Sequence, residues 1–68
     1  MQVMELKDRI KTLRSERHLT QGQIAEALGV DQSTVSYWEK GRQEPNAPQR
    51  KRLCQFLGIT QAELFEGL

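Results

Sequence analysis

The sequence predicts an all-α domain of five short helices, and three observations carry that prediction. Its 68 residues suffice for one small domain and leave no room for a second. Its apolar residues recur at helical steps of three and four, and no segment alternates apolar with polar residues long enough to form a strand. Capping residues stand before the apolar stretches, and glycines follow three of them. A chain this short buries only about 60% of the surface it exposes when unfolded, so its local signals must agree with one another. The single cysteine, Cys54, excludes a disulfide within the chain and suits a reducing compartment.

Leu6, Ile10 and Leu13 form one apolar stripe, continued in spacing by Arg17, and predict a first helix over residues 4–17. Lys7, Asp8, Lys11 and Arg14 are expected on its opposite face. His18 reads as a helix-end residue. Thr20 is a good N-cap for a second helix beginning at Gln21, with Gln23 placed to complete a capping box. Ile24, Ala25 and Leu28 are its buried face, and Gly29 ends it in left-handed geometry. Asp31 is the expected cap of a third helix, whose inward stripe is Val35 and Trp38 and which ends at Gly41. Pro45 breaks the loop that follows. Asn46 caps a fourth helix that accepts Pro48 in its first turn and runs to Leu57, with Gly58 as its stop. Thr60 opens a last helix through Phe65, with Glu63 in the reciprocal capping position. The expected core is Leu6, Ile10, Leu13, Ile24, Leu28, Val30, Val35, Trp38, Leu53, Leu57, Ile59, Leu64 and Phe65. Cys54 is expected to be a small buried residue beside it.

Residues 21–41 carry the functional signal. Two helices joined only through Gly29, Val30 and Asp31 must cross steeply. The crossing needs a small residue, which Ala25 provides, and a turn residue at ease with positive φ, which Gly29 is. With Val35 and Trp38 turned inward, the third helix presents Gln32, Ser33, Ser36 and Tyr37 outward, with Thr34 beside them. These uncharged side chains donate and accept hydrogen bonds, the chemistry that reads base edges from a helix in the major groove.

Leu19-Thr20-Gln21, Ile24-Ala25, Leu28-Gly29-Val30, Ser33-Thr34-Val35-Ser36, Trp38-Glu39-Lys40-Gly41-Arg42, Pro45 and Leu57-Gly58-Ile59 together resemble the phage-repressor and Cro-like (XRE) family of helix-turn-helix domains. The resemblance covers nearly the whole chain. It implies a lambda-repressor-like fold over residues 1–68, with the helix-turn-helix at about 21–40, and sequence-specific binding of double-stranded DNA by a small transcriptional regulator, expected to be a repressor. The family's base-contacting positions fall on Gln32, Ser33 and Tyr37, while Gln21 matches a position that contacts a phosphate and buttresses the first recognition residue. Arg14 and Glu39 stand where the family commonly keeps an ion pair. Arg50 and Lys51 depart from it, occupying positions that tend to be apolar, and Glu44 departs in a loop that is frequently basic. Relatives often dimerise near the last helix, so Leu64, Phe65 and Leu68 are expected to offer surface for a weak or DNA-assisted homodimer on a palindromic operator.

The net charge of +1 says nothing about partners as a total but becomes informative when divided. Residues 19–39 hold Glu26, Asp31 and Glu39 and no cation, so phosphate contacts are expected from Lys40, Arg42, Arg50 and Lys51, with Arg52 beside them. The remaining classes are disfavoured. There is no glycine-rich phosphate loop, no nucleophile-histidine-acid set and no metal-ligand cluster, so neither an enzyme nor a cofactor is expected. No stretch is apolar enough to span a membrane and the first residues do not read as an export signal, so the expected compartment is the cytoplasm. The alternative is an antitoxin-like or partner-binding module of the same fold, which would lack the salt dependence of DNA binding.

Overall fold

In a computed structural model of the chain, which describes residues 5–66, five helices follow one another. They are α1 (Leu6–Glu16), α2 (Gln21–Leu28), α3 (Gln32–Lys40), α4 (Ala47–Leu57) and α5 (Gln61–Leu64). There is no strand among the described residues. Helix α1 starts only after Glu5 and stops one residue before Arg17; the expected start at Met4 lies outside the described residues. Helix α5 is shorter at each end than the expected Thr60 to Phe65, because Thr60 is its cap and Phe65 already leaves helical geometry.

The helices begin and end by local rules. Thr20 with Gln23, Asn46 with Gln49 and Thr60 with Glu63 each form a reciprocal capping box, both hydrogen bonds lying between 2.8 and 3.1 Å. Each such cap is worth about 1 kcal/mol. Asp31 departs from expectation, since its side chain makes no cap hydrogen bond; the first turn of α3 is closed by the Thr34 amide donating to the Asp31 carbonyl at 3.0 Å.

The first four helices all end in the same way. One or two residues past the helix end, His18, Gly29, Gly41 or Gly58 takes a positive φ. The amide of the next residue then reaches back to a carbonyl five positions earlier: Leu19 to Arg14, Val30 to Ala25, Arg42 to Tyr37 and Ile59 to Cys54, at 2.9 to 3.1 Å. Leu19, Val30 and Ile59 are thereby folded back onto the core as half-buried residues. His18 does at φ 54° what glycine does elsewhere.

The core gathers around Trp38, Ile10, Ile24, Val35, Leu53 and Leu64, all nearly inaccessible to solvent, with Leu13, Leu28 and Leu57 around them. Ala25, Cys54 and Pro45 are buried as well. Leu6, Val30 and Ile59 only flank this cluster. Phe65 corrects the expected core, being 40% exposed while its neighbour Leu64 takes the inward position. A four-residue helix can turn only one of two adjacent side chains inward, and the Phe65 ring lies instead beside the Arg50 guanidinium, 6.0 Å from the ring centre.

Arginines join the helices to one another. Arg9 donates to the Glu63 carbonyl in α5 (2.8 Å), Arg17 to the Leu57 carbonyl ending α4 (3.0 Å), and Arg52 to the Leu28 carbonyl ending α2 (3.5 Å). Cations thus meet the electronegative ends of helices from other parts of the chain. The cationic face of α1 meets the end of α3, for the Lys7 stem lies at Gly41 and Arg14 pairs with Glu39.

Candidate nucleic-acid interface

Helices α2 and α3 pack most extensively against one another, with Ala25 buried on α2 and Gly29 turning the chain between them at φ 71°. Val35 and Trp38 anchor α3 from beneath, at 0% and 1% exposure. Because these two residues hold the inner stripe, Gln32, Ser33 and Tyr37 face solvent and Thr34 and Ser36 are half-buried at the flanks. The five residues expected to read bases therefore lie along one element, the first three on its open face.

The base of α3 is held by a polar network centred on Glu39, whose side chain is 4% exposed. Arg14 donates from Nε to Glu39 Oε2 at 2.7 Å and from Nη2 to Oε1 at 3.0 Å, a bidentate pairing. Its third nitrogen, Nη1, donates to the Leu19 carbonyl at 2.9 Å, in the turn between α1 and α2. Gln21 Nε2 donates to Glu39 Oε1 at 3.2 Å, so the first residue of α2 is tied to the last turn of α3. The hydrogen bond to Glu39 pushes the Arg14 guanidinium above its ordinary value, and it stays charged at any working pH. Gln32 leans toward the start of α2: a Cβ added at Gly22 would sit 3.6 Å from Gln32 Oε1.

The expected phosphate-binding residues separate into two sets. Lys40 and Arg42, at the end of α3, and Lys51, on α4, are exposed. Arg50 is apart from them: it is half-buried, donates to the Pro45 carbonyl at 2.9 Å and packs beside Phe65, with its Nε unpaired. Its long stem is half-buried while its head reaches the Pro45 carbonyl, as amphipathic side chains do. Lys7 joins this end of α3 without a signal in the sequence other than the glycine at position 41, which its stem crosses. Among the described residues no group of three His, Cys, Asp or Glu side chains gathers to hold a metal, and no helix is long and apolar enough to cross a membrane.

Residues 5–66 match the family described as helix-turn-helix domain. The chain belongs to that family. Over 64 residues it is 38% identical to the HTH-type transcriptional activator BcrR of Enterococcus faecalis, covering 94% of this chain and 31% of that protein. Over 56 residues it is 39% identical to the cryptic phage CTXphi transcriptional repressor RstR of Vibrio cholerae, covering 82% of this chain and 50% of that one. The helix-turn-helix chain thus spans about a third and a half of the lengths of these two relatives. Its fold is the lambda-repressor-like one. It superposes on the crystal structure of the P22 c2 repressor protein in complex with synthetic operator 9T with a TM-score of 0.84 at 25% identity, each chain covered completely.

Proposed function

We propose that this helix-turn-helix domain, residues 1–68, binds double-stranded DNA sequence-specifically as a small transcriptional regulator, acting as a repressor, with α3 in the major groove. The observation that carries the reading is the face of α3: Gln32, Ser33 and Tyr37 stand free while Val35 and Trp38 lock the helix from beneath. Gln32 has the donor and acceptor needed to pair bidentately with adenine, Ser33 serves several bases, and Tyr37 reaches further with an apolar ring and a hydroxyl. Thr34 and Ser36 contact bases or sugars at the flanks. Lys40, Arg42 and Lys51 hold phosphates, joined by the start of α2 at Gln21. The domain is a binding protein and not an enzyme, and it works in the cytoplasm without a cofactor.

The similarity to a repressor bound to its operator supports this docking, and of the two protein relatives one is named a transcriptional activator and the other a transcriptional repressor. One such domain reads one half-site, so we infer a weak or DNA-assisted homodimer on a palindrome whose half-sites lie about one helical turn apart. Phe56 on α4 and Phe65 just after α5, each about 40% exposed, offer the apolar surface for it; Leu64 is committed to the core, and Leu68 lies outside the described residues. Selection from random duplexes is the test. A two-fold symmetric motif is expected, and enrichment of no motif would overturn sequence-specific binding in favour of a protein-interaction module.

A further inference from the structure

Lys7 lies in an unusual place for a surface lysine. Its stem crosses the backbone of Gly41 so closely that a Cβ there would stand 2.9 Å from Lys7 Cδ, and the turn at φ 74° already favours glycine. Gly41 is flanked by Lys40 and Arg42, both exposed. The Lys7 side chain remains 38% exposed although its stem runs against Gly41. Its carboxylate neighbours hold it only loosely: Glu5 at 3.9 Å and Asp8 at 3.8 Å are beyond hydrogen-bond reach and are themselves largely exposed. Lys11 is exposed one helical turn further along. Arg14, at the next step of the same stripe, is bound to Glu39 of α3, so Lys11 lies between two residues anchored against that helix.

We propose that Lys7 and Lys11 of α1 are phosphate-binding residues that extend the cationic end of α3 formed by Lys40 and Arg42, gripping the DNA backbone along the edge of the recognition helix. The inference rests on the DNA-binding reading above and adds α1 to it. The stem of Lys7 is ordered by Gly41 before any ligand arrives, so less side-chain freedom is lost on binding. The arginines of α1 leave this role to the lysines, since Arg9, Arg14 and Arg17 are committed to carbonyls and to Glu39.

The test is fluorescence anisotropy of the whole chain on a selected duplex and on an unrelated one across 50 to 200 mM salt, for wild type, Lys7→Met, Lys11→Met and Lys7→Arg. Methionine keeps the stem and removes the charge. Each Met variant is expected to bind both duplexes more weakly and to lower the salt slope by about one. The ratio of wild-type to variant affinity then shrinks about 3.5-fold over that fourfold salt range. Lys7→Arg should restore the slope, and melting temperatures should stay close to wild type. A slope unchanged in the Met variants, with or without a fall in melting temperature, overturns the proposal and leaves Lys7 as packing for Gly41. Failure of the wild type to bind any duplex would overturn the DNA-binding reading itself.

Discussion

Replacing Arg14 by Met should destabilise the domain more than removal of any surface charge. The Glu39 side chain is 4% exposed and receives two hydrogen bonds from Arg14, at 2.7 and 3.0 Å, leaving only Gln21 at 3.2 Å once the guanidinium is gone. A buried carboxylate stripped of its partner costs about 3–5 kcal/mol. A domain of 68 residues has only about 3–10 kcal/mol to lose. At about 4–8 °C per kcal/mol, the melting temperature should fall by at least about 12 °C. Thermal and urea unfolding followed by circular dichroism measures this directly. The companion variant Arg14→Met/Glu39→Met should cost less than Arg14→Met alone, because it leaves no orphaned charge. It retains the loss of the Arg14 bond to the Leu19 carbonyl, about 1 kcal/mol. A cost below about 1 kcal/mol for Arg14→Met, or a double variant less stable than the single, would refute the view that Glu39 is a buried charge held by Arg14.

Two further outcomes follow from local geometry. His18→Gly should stabilise the protein by about 0.5–1 kcal/mol, because a left-handed residue other than glycine bears a steric cost at φ 54° and the glycine entropy penalty only partly offsets it; the shift in urea midpoint reports it. Burial pushes the Cys54 thiol up, with Glu63 adding to the shift and Arg50 opposing it. Its contribution to stability is therefore intact below the unfolded thiol value of about 8.5 and is lost as pH rises from there through the higher folded value. Between about pH 8 and 10 the wild type should lose stability faster than Cys54→Ala, and equal slopes would contradict the burial.

What could be read from the sequence was whatever neighbouring residues decide among themselves. Thr20, Asn46 and Thr60 announce their helices because the cap and its partner lie three residues apart, and Gly29, Gly41 and Gly58 mark helix ends by their own backbone freedom. The inner and outer faces of α3 follow from the spacing of Val35 and Trp38. The failures are tertiary. Leu64 and Phe65 are equally apolar, and only the packing of α5 against α4 and α1 decides that Leu64 goes inside. Arg50 read as a surface cation because nothing in its own helix foretells the Pro45 carbonyl or the Phe65 ring. The pattern of α1 puts Lys7 and Arg14 opposite its apolar stripe and cannot show that the end of α3 meets them there. The family resemblance nonetheless pairs Arg14 with Glu39, since it holds long-range information that periodicity lacks.

The central claim is that the uncharged face of α3 reads bases. The most direct measurement compares the duplex motifs selected by wild type, Gln32→Ala and Ser33→Ala, with affinities measured for single-base variants of the site. Each substitution should erase the preference at one position in each half-site, at a cost of about 1–3 kcal/mol, and leave the others intact. Variants that select the wild-type motif with undiminished preference at every position would contradict the account.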